Sequence, residues 1–182
     1  MKRFIAMLAV FAGGACVALA AGSNAHGKWL DDFAVAKAKA KETGRPILAD
    51  FSGSDWCGWC IKLDQEVFSQ EAFKTYASAN LVLFLADFPH GKRLPVKVAK
   101  QNEGLQGKYG IEGFPTVLLL DAEGEVLART GYQPGGPTVY VEQLKGMLDK
   151  AGWHAPQPLA GNTNAPAFKP APVYKWKTSR AP

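Results

Sequence analysis

Apolar residues recur along this chain in two rhythms, one helical and one of short continuous runs. Trp29, Phe33, Ala36 and Ala40 fall at helical spacing, and Gly44 followed by Pro46 ends that stretch. Pro46 to Phe51 is a short apolar strand with Asp50 inside it. A Ser52-Gly53-Ser54-Asp55 turn leads to a helix that begins near Cys57 and runs through Ile61, Leu63 and Val67 to about Phe68. Ser69 is placed to cap a further turn carrying Phe73 and Tyr76. Leu81 to Phe88 is a second apolar strand. After a loop over 89–94, Pro95 opens a helix that reaches about Tyr109. Thr116 to Leu120 and Glu125 to Thr130 are two more strands, joined by the turn Asp121-Ala122-Glu123-Gly124. Pro137 to Ala151 closes the pattern as a helix with Val141, Leu144 and Leu148 on one face.

This order predicts an α/β domain. Helical crossovers favour parallel pairing of the first strands, and the short turn at Gly124 makes the last two antiparallel. The expected architecture is a central mixed four-stranded sheet, with room for a fifth strand, covered by helices on both faces. The chain of 182 residues is long enough for one domain with a proper core and short for two.

The two ends have a different composition. Lys2 and Arg3 precede an apolar run from Phe4 to Val17, and Ala18-Leu19-Ala20 forms a small-residue cleavage site. Residues 1–20 are read as a secretory signal peptide, because the apolar run is too short to span a bilayer. The alternative is a lipoprotein signal anchored through Cys16, although the residues before it lack the usual leucine. Residues 21–27 are a linker and 28–151 the domain. The segment 152–182, rich in proline and without acids, is a mostly extended tail carrying Trp153, Phe168, Tyr174 and Trp176.

The formal net charge is +5, but Lys2 and Arg3 leave with the signal, and Lys169, Lys175, Lys177 and Arg180 belong to the tail. Residues 21–168 therefore carry a net charge of −1, by difference from the whole chain. The basicity lies at the ends and gives no reason to expect nucleic acid as a partner.

Signal cleavage would remove Cys16 and leave Cys57 and Cys60 in Trp56-Cys57-Gly58-Trp59-Cys60. A disulfide between such close neighbours closes a very short loop and restrains little of the unfolded chain. The pair is better suited to reactivity than to bracing the fold. A thiolate at a helix start is stabilised by unpaired N–H groups, an effect of about 0.3–2 kcal/mol. Two such thiols form a two-electron device without a cofactor. Zinc would need a second ligand pair; His26, His90 and His154 are scattered, so no metal site is expected. Asp50 costs free energy inside a strand unless solvated or paired; beneath the cysteines it would gain a raised pKa and could accept the Cys60 proton.

Pro46-Ile47-Leu48-Ala49-Asp50-Phe51 with the Cys-Gly-Trp-Cys motif, and Lys108-Tyr109-Gly110-Ile111-Glu112-Gly113-Phe114-Pro115-Thr116 downstream, resemble the thioredoxin superfamily over residues 28–151. The resemblance implies a thioredoxin fold, Cys57 as nucleophile, Cys60 as resolving thiol, a cis-Pro115 facing them, and Asp50 as the buried acid. The chain looks like exported bacterial thioredoxin-like proteins and like the periplasmic thioredoxin-like domain of disulfide-reducing membrane proteins. Trp56, Gly58, Trp59, Phe114 and Thr116, beside the cysteines and Pro115, are the candidate substrate contacts. The chain departs from the family in three places: the Gly58-Trp59 dipeptide, one extra residue between Asp50 and Cys57, and a longer segment from Phe88 to Leu105.

The leading expectation is an exported monomeric thiol–disulfide oxidoreductase that reduces or isomerises protein disulfides. It needs no cofactor, since no nucleotide or flavin site is visible, and it draws electrons from another protein, a membrane-bound donor being one candidate. Two alternatives stay open. One is a peptide-binding module using Trp56, Trp59 and Phe114 with an incidental disulfide. The other is copper delivery, with His90 as a third ligand.

Overall fold

The computed structural model describes residues 28–153. The signal, linker and Cys16 anchor anticipated before this span, and the tail from residue 154 with Phe168, Tyr174 and Trp176, lie outside the described residues, whereas Trp153 is described and packs partly buried against the core beside Leu148.

Ten elements follow one another: α1 (Phe33–Thr43), β1 (Ile47–Ser52), α2 (Gly58–Leu63), a π-helical turn (Asp64–Phe68), α3 (Glu71–Asn80), β2 (Val82–Asp87), α4 (Val96–Lys108), β3 (Thr116–Leu120), β4 (Val126–Thr130) and α5 (Gly136–Lys150). The strands form one sheet in the order β2-β1-β3-β4. β1 pairs parallel with β2, whereas β3 runs antiparallel to both β1 and β4. The helical crossover between β1 and β2, and the tight turn between β3 and β4, give the pairings expected of them. In that turn the Asp121 carboxylate accepts from the backbone N–H groups of Glu123, Gly124 and Glu125.

Every residue of β1 is buried, because the strand is central and covered on both faces. Alternation along it sorts side chains between two cores. Ile47, Ala49 and Phe51 join Phe33 and Ala36 of α1 with Leu105 and Tyr109 near α4. Leu48 joins Leu63, Val67, Phe73, Tyr140 and Leu144 under α2, α3 and α5. Asp50 is two residues from Leu48 and so faces this second core, beneath the helix that starts at Cys57.

Three local readings of the sequence need correction. Trp29 does not belong to α1. The Asp32 carboxylate accepts from the N–H groups of Ala34 and Val35, which starts the helix at Phe33, and Trp29 packs on Phe68 instead. The neighbouring Leu30 exchanges backbone bonds with Leu83 and Leu85, so the anticipated fifth strand amounts to a single bridge, Leu30 to Phe84. Ser69 does not cap α3. The wide turn at 64–68 brings its N–H to the Asp64 carbonyl at 2.7 Å and its hydroxyl to the Asp64 carboxylate at 3.0 Å, and Gln70 occupies the cap position.

Phe84 is fully buried in the first core, 5.0 Å from the Phe33 ring. Phe84→Ala should destabilise the protein by about 3–5 kcal/mol in urea unfolding. Val96→Ala, at a position 71% exposed, should stay within about 0.5 kcal/mol of the parent.

Candidate active site

β1 ends at Ser52 and delivers the chain to a compact turn. The N–H groups of Trp56 and Cys57 both donate to the Gly53 carbonyl. Cys57 then sits in the N-cap position of α2, and the Cys60 N–H donates to its sulfur at 3.2 Å. Cys57 and Cys60 form a disulfide with Cα atoms 5.2 Å apart. Cys57 is 7% exposed and Cys60, three residues further into the helix, 3%, so Cys60 is the deeper of the two.

Asp50 lies in the core below, 4% exposed, and its Oδ1 has no hydrogen-bond partner among the described residues. Burial, with smaller contributions from the charges of Asp64 and Asp87, pushes its carboxyl well above the usual range. Asp64 is four residues after Cys60, on the same helical face, and its own pKa is raised by burial. The turn at Gly53 carries the chain from the end of β1 to Cys57.

The longer segment after β2 folds back onto the same turn. Asp87 accepts from the Ser54 N–H and hydroxyl and pairs with Lys92 at 2.9 Å. The Asp55 carboxylate accepts from the N–H groups of His90 and Gly91. These bonds bring His90 flat against Trp56, with centroids 4.4 Å apart and planes 4° from parallel. The Trp56 indole N–H donates to the Phe88 carbonyl, and the ring crosses Gly53 so closely that a methyl there would lie 2.5 Å from it. Trp56 also meets Phe114 edge-on at 6.0 Å. A cleft of about 300 Å³ opens between this loop and α4, with Trp56 and Phe114 among its walls.

The Phe114–Pro115 peptide is cis. Thr116 pairs with Phe51 in the sheet, which sets this peptide beside the end of β1, and its hydroxyl donates to the Gly113 carbonyl. Gly58 is exposed and has nothing within 4 Å of where a Cβ would stand. Trp59 is 58% exposed and packs on Tyr132 at 5.1 Å.

The sequence-predicted residues therefore gather at one end of the two central strands. His90 packs on an indole, and no group of three or more His, Cys, Asp or Glu side chains among the described residues could hold a metal ion. Sequence reasoning missed Tyr132 and Asp64. An aromatic residue inside the glycine- and proline-rich Gly131–Gly135 stretch, and an acid one helical turn past Cys60, were the available signals.

The chain has known relatives in sequence and in fold. A family profile described as a thioredoxin-like domain matches residues 33–150. The chain is 37% identical over 118 residues to the disulfide bond reductase DsbH of Chlamydia pneumoniae, covering 65% of this chain and 71% of that one. It is 31% identical to the thioredoxin-related protein DsbJ of the same organism over 57% of this chain, but spans only 30% of that relative's length. Among solved structures, a DsbH oxidoreductase superposes with a TM-score of 0.65 at 37% identity, covering 67% of this chain and 84% of that one. A thioredoxin from Thermus thermophilus shares the fold with a TM-score of 0.52 at 19% identity, over 69% and 89% of the two chains. The profile covers nearly all of the described residues, and the chain belongs to the thioredoxin-like family.

Proposed function

We propose that this protein is an exported thiol–disulfide oxidoreductase that reduces or isomerises disulfides in client proteins. The observation that carries this reading is the nearly buried Cys57–Cys60 disulfide at the start of a helix, above a carboxyl that has an unpartnered oxygen. Its similarity to a disulfide bond reductase supports the reducing direction.

In the reduced protein the Cys57 thiolate, stabilised by the helix start and the Cys60 N–H, attacks one sulfur of a client disulfide. A mixed disulfide forms and the other client sulfur leaves as a thiolate. Cys60 then attacks the Cys57 sulfur, the client departs with both of its sulfurs reduced, and the intramolecular disulfide is restored. Asp50 accepts the Cys60 proton in this second step when it is ionised, a state that its raised pKa makes available only as pH climbs toward that value. Trp56, Gly58, Trp59, Phe114 and Thr116 contact the client, and Pro115 supports the chain facing the cysteines. A protein donor in the exported compartment returns two electrons to the oxidised pair. The signal pattern in residues 1–20 supports export, with anchoring through Cys16 as the alternative.

The reduction potential of the Cys57–Cys60 couple tests the direction: about −270 mV fits a reductase, whereas about −120 mV means a disulfide donor and overturns it. Cys57→Ser should abolish turnover of a polypeptide disulfide. Cys60→Ala should accumulate a client-linked adduct, visible on a non-reducing gel and lost with thiol; no adduct would count against the cycle.

Asp50 should also leave a signature in stability. Its folded pKa lies above the unfolded value of about 3.9. The native state therefore holds a proton that the unfolded state releases, and stability declines as pH rises from the unfolded pKa through the folded one. Asp50→Asn removes that decline. Urea unfolding of the oxidised proteins should show the variant gaining on the parent between pH 4 and pH 8, while its resolving step slows. A gap that is the same at both pH values would argue against a buried protonated acid.

A further inference from the structure

Two indoles bracket Cys57 in sequence, and they are held by different means. Trp56 is fixed by the Phe88 carbonyl, His90 and Phe114. Trp59 is more exposed, and an indole on two free torsions would ordinarily sample several rotamers. Here its ring leans on Tyr132, and the Lys62 ammonium lies 5.2 Å from the centroid of each ring. The Tyr132 hydroxyl donates to the Glu66 carboxylate at 2.7 Å, and Glu66 reaches Lys62 at 3.8 Å. Trp59, Lys62 and Glu66 stand at positions i, i+3 and i+7, along one helical face.

The loop that carries Tyr132 is itself anchored. The Tyr140 hydroxyl, from α5, donates to the Gly131 carbonyl at 3.2 Å. Gly131 approaches Pro115 so closely that a Cβ would stand 3.0 Å from the Pro115 carbonyl oxygen. A continuous rim follows. Trp56 touches Phe114, Phe114 is joined to Pro115, Pro115 meets Gly131, Gly131 is joined to Tyr132, and Tyr132 touches Trp59. The chain from Trp56 to Trp59 closes this circuit through Cys57.

We propose that Tyr132 is a positioning residue which, braced by Glu66 and Lys62, holds the Trp59 indole as a fixed wall of the site against which a polypeptide client packs. The proposal rests on Trp59 being a client contact. A wall ordered in advance spares the ordering cost when a client binds, so its loss appears in KM and leaves the sulfur chemistry of kcat alone. A small disulfide that does not reach the wall is indifferent to it.

The test compares the parent, Tyr132→Leu, Trp59→Ala and the double variant on insulin and on hydroxyethyl disulfide. Tyr132→Leu should raise KM for insulin about three- to tenfold with kcat nearly unchanged. Hydroxyethyl disulfide turnover and the reduction potential should not move. The double variant should match Trp59→Ala alone, because Tyr132 acts through that ring. Glu66→Gln, an exposed change, should raise KM in the same direction but less, and Tyr132→Phe should keep most of the parental value. Nuclear relaxation of the Trp59 indole N–H should show a rigid ring in the parent and a mobile one in Tyr132→Leu. Factors that multiply in the double variant, or an equal loss on hydroxyethyl disulfide, would overturn the positioning role. If Trp59→Ala raises KM and Tyr132→Leu does not, the positioning proposal alone fails. If Trp59→Ala leaves KM unchanged, the client-contact reading falls and takes the proposal with it. A parent unable to turn over either disulfide would end the oxidoreductase reading and the proposal together.

Discussion

β1 is buried on both faces, and side chains along a strand must alternate between them. That alternation sends Ile47, Ala49 and Phe51 into one core and Leu48 into the other, and it sends Asp50 the same way as Leu48. An acid is thereby driven into apolar surroundings beneath α2. Its burial raises its pKa, and the nearby charges of Asp64 and Asp87 push in the same direction. The same strand ends at the turn that delivers Cys57 to the start of α2. One geometric constraint thus sets both the acid and the sulfur pair on the same side of the sheet.

The disulfide contributes little to holding this arrangement together, since it joins residues only three apart. Two hydrophobic cores do that work, and the cost of burying Asp50 is a stability sacrifice of the kind reactive sites often carry. The segment after β2 adds a second layer of support from outside the core. Asp55 and Asp87 use their carboxylates to fasten the 88–92 backbone and side chains to the 53–56 turn. Trp56 is consequently held at its edge, its face and its N–H. Trp59, on the same short stretch of chain, leans on the loop after β4 instead. The reactive end is rimmed by residues from four separate parts of the chain, 56–59, 88–90, 114–115 and 131–132, although the two cysteines come from one.

The central features were legible because they depend on neighbours in sequence. A continuous apolar run predicts a central strand, a tight Asp-x-x-Gly turn predicts an antiparallel pair, and Cys-x-x-Cys at a helix start predicts a closable disulfide. The spacing of Trp29 from Phe33 imitates a helix, while the decisive signal is the cap at Asp32. Ser69 was misread because a π turn shifts the phase of the chain by one residue, and spacing rules assume the ordinary helix.

The sequence by itself determined the strand order along the chain, the vicinal cysteines, and the presence of an acid in the strand before them. These follow from local periodicity and spacing, which act over a few residues. Only the tertiary structure decided that β3 returns antiparallel beside β1, that the Asp50 oxygen is left without a partner, and that Tyr132 meets Trp59 across 73 positions of chain. Contacts of that kind depend on which helix faces which side of the sheet. No local pattern encodes that choice, because it is settled by burying all the apolar faces of the domain at once.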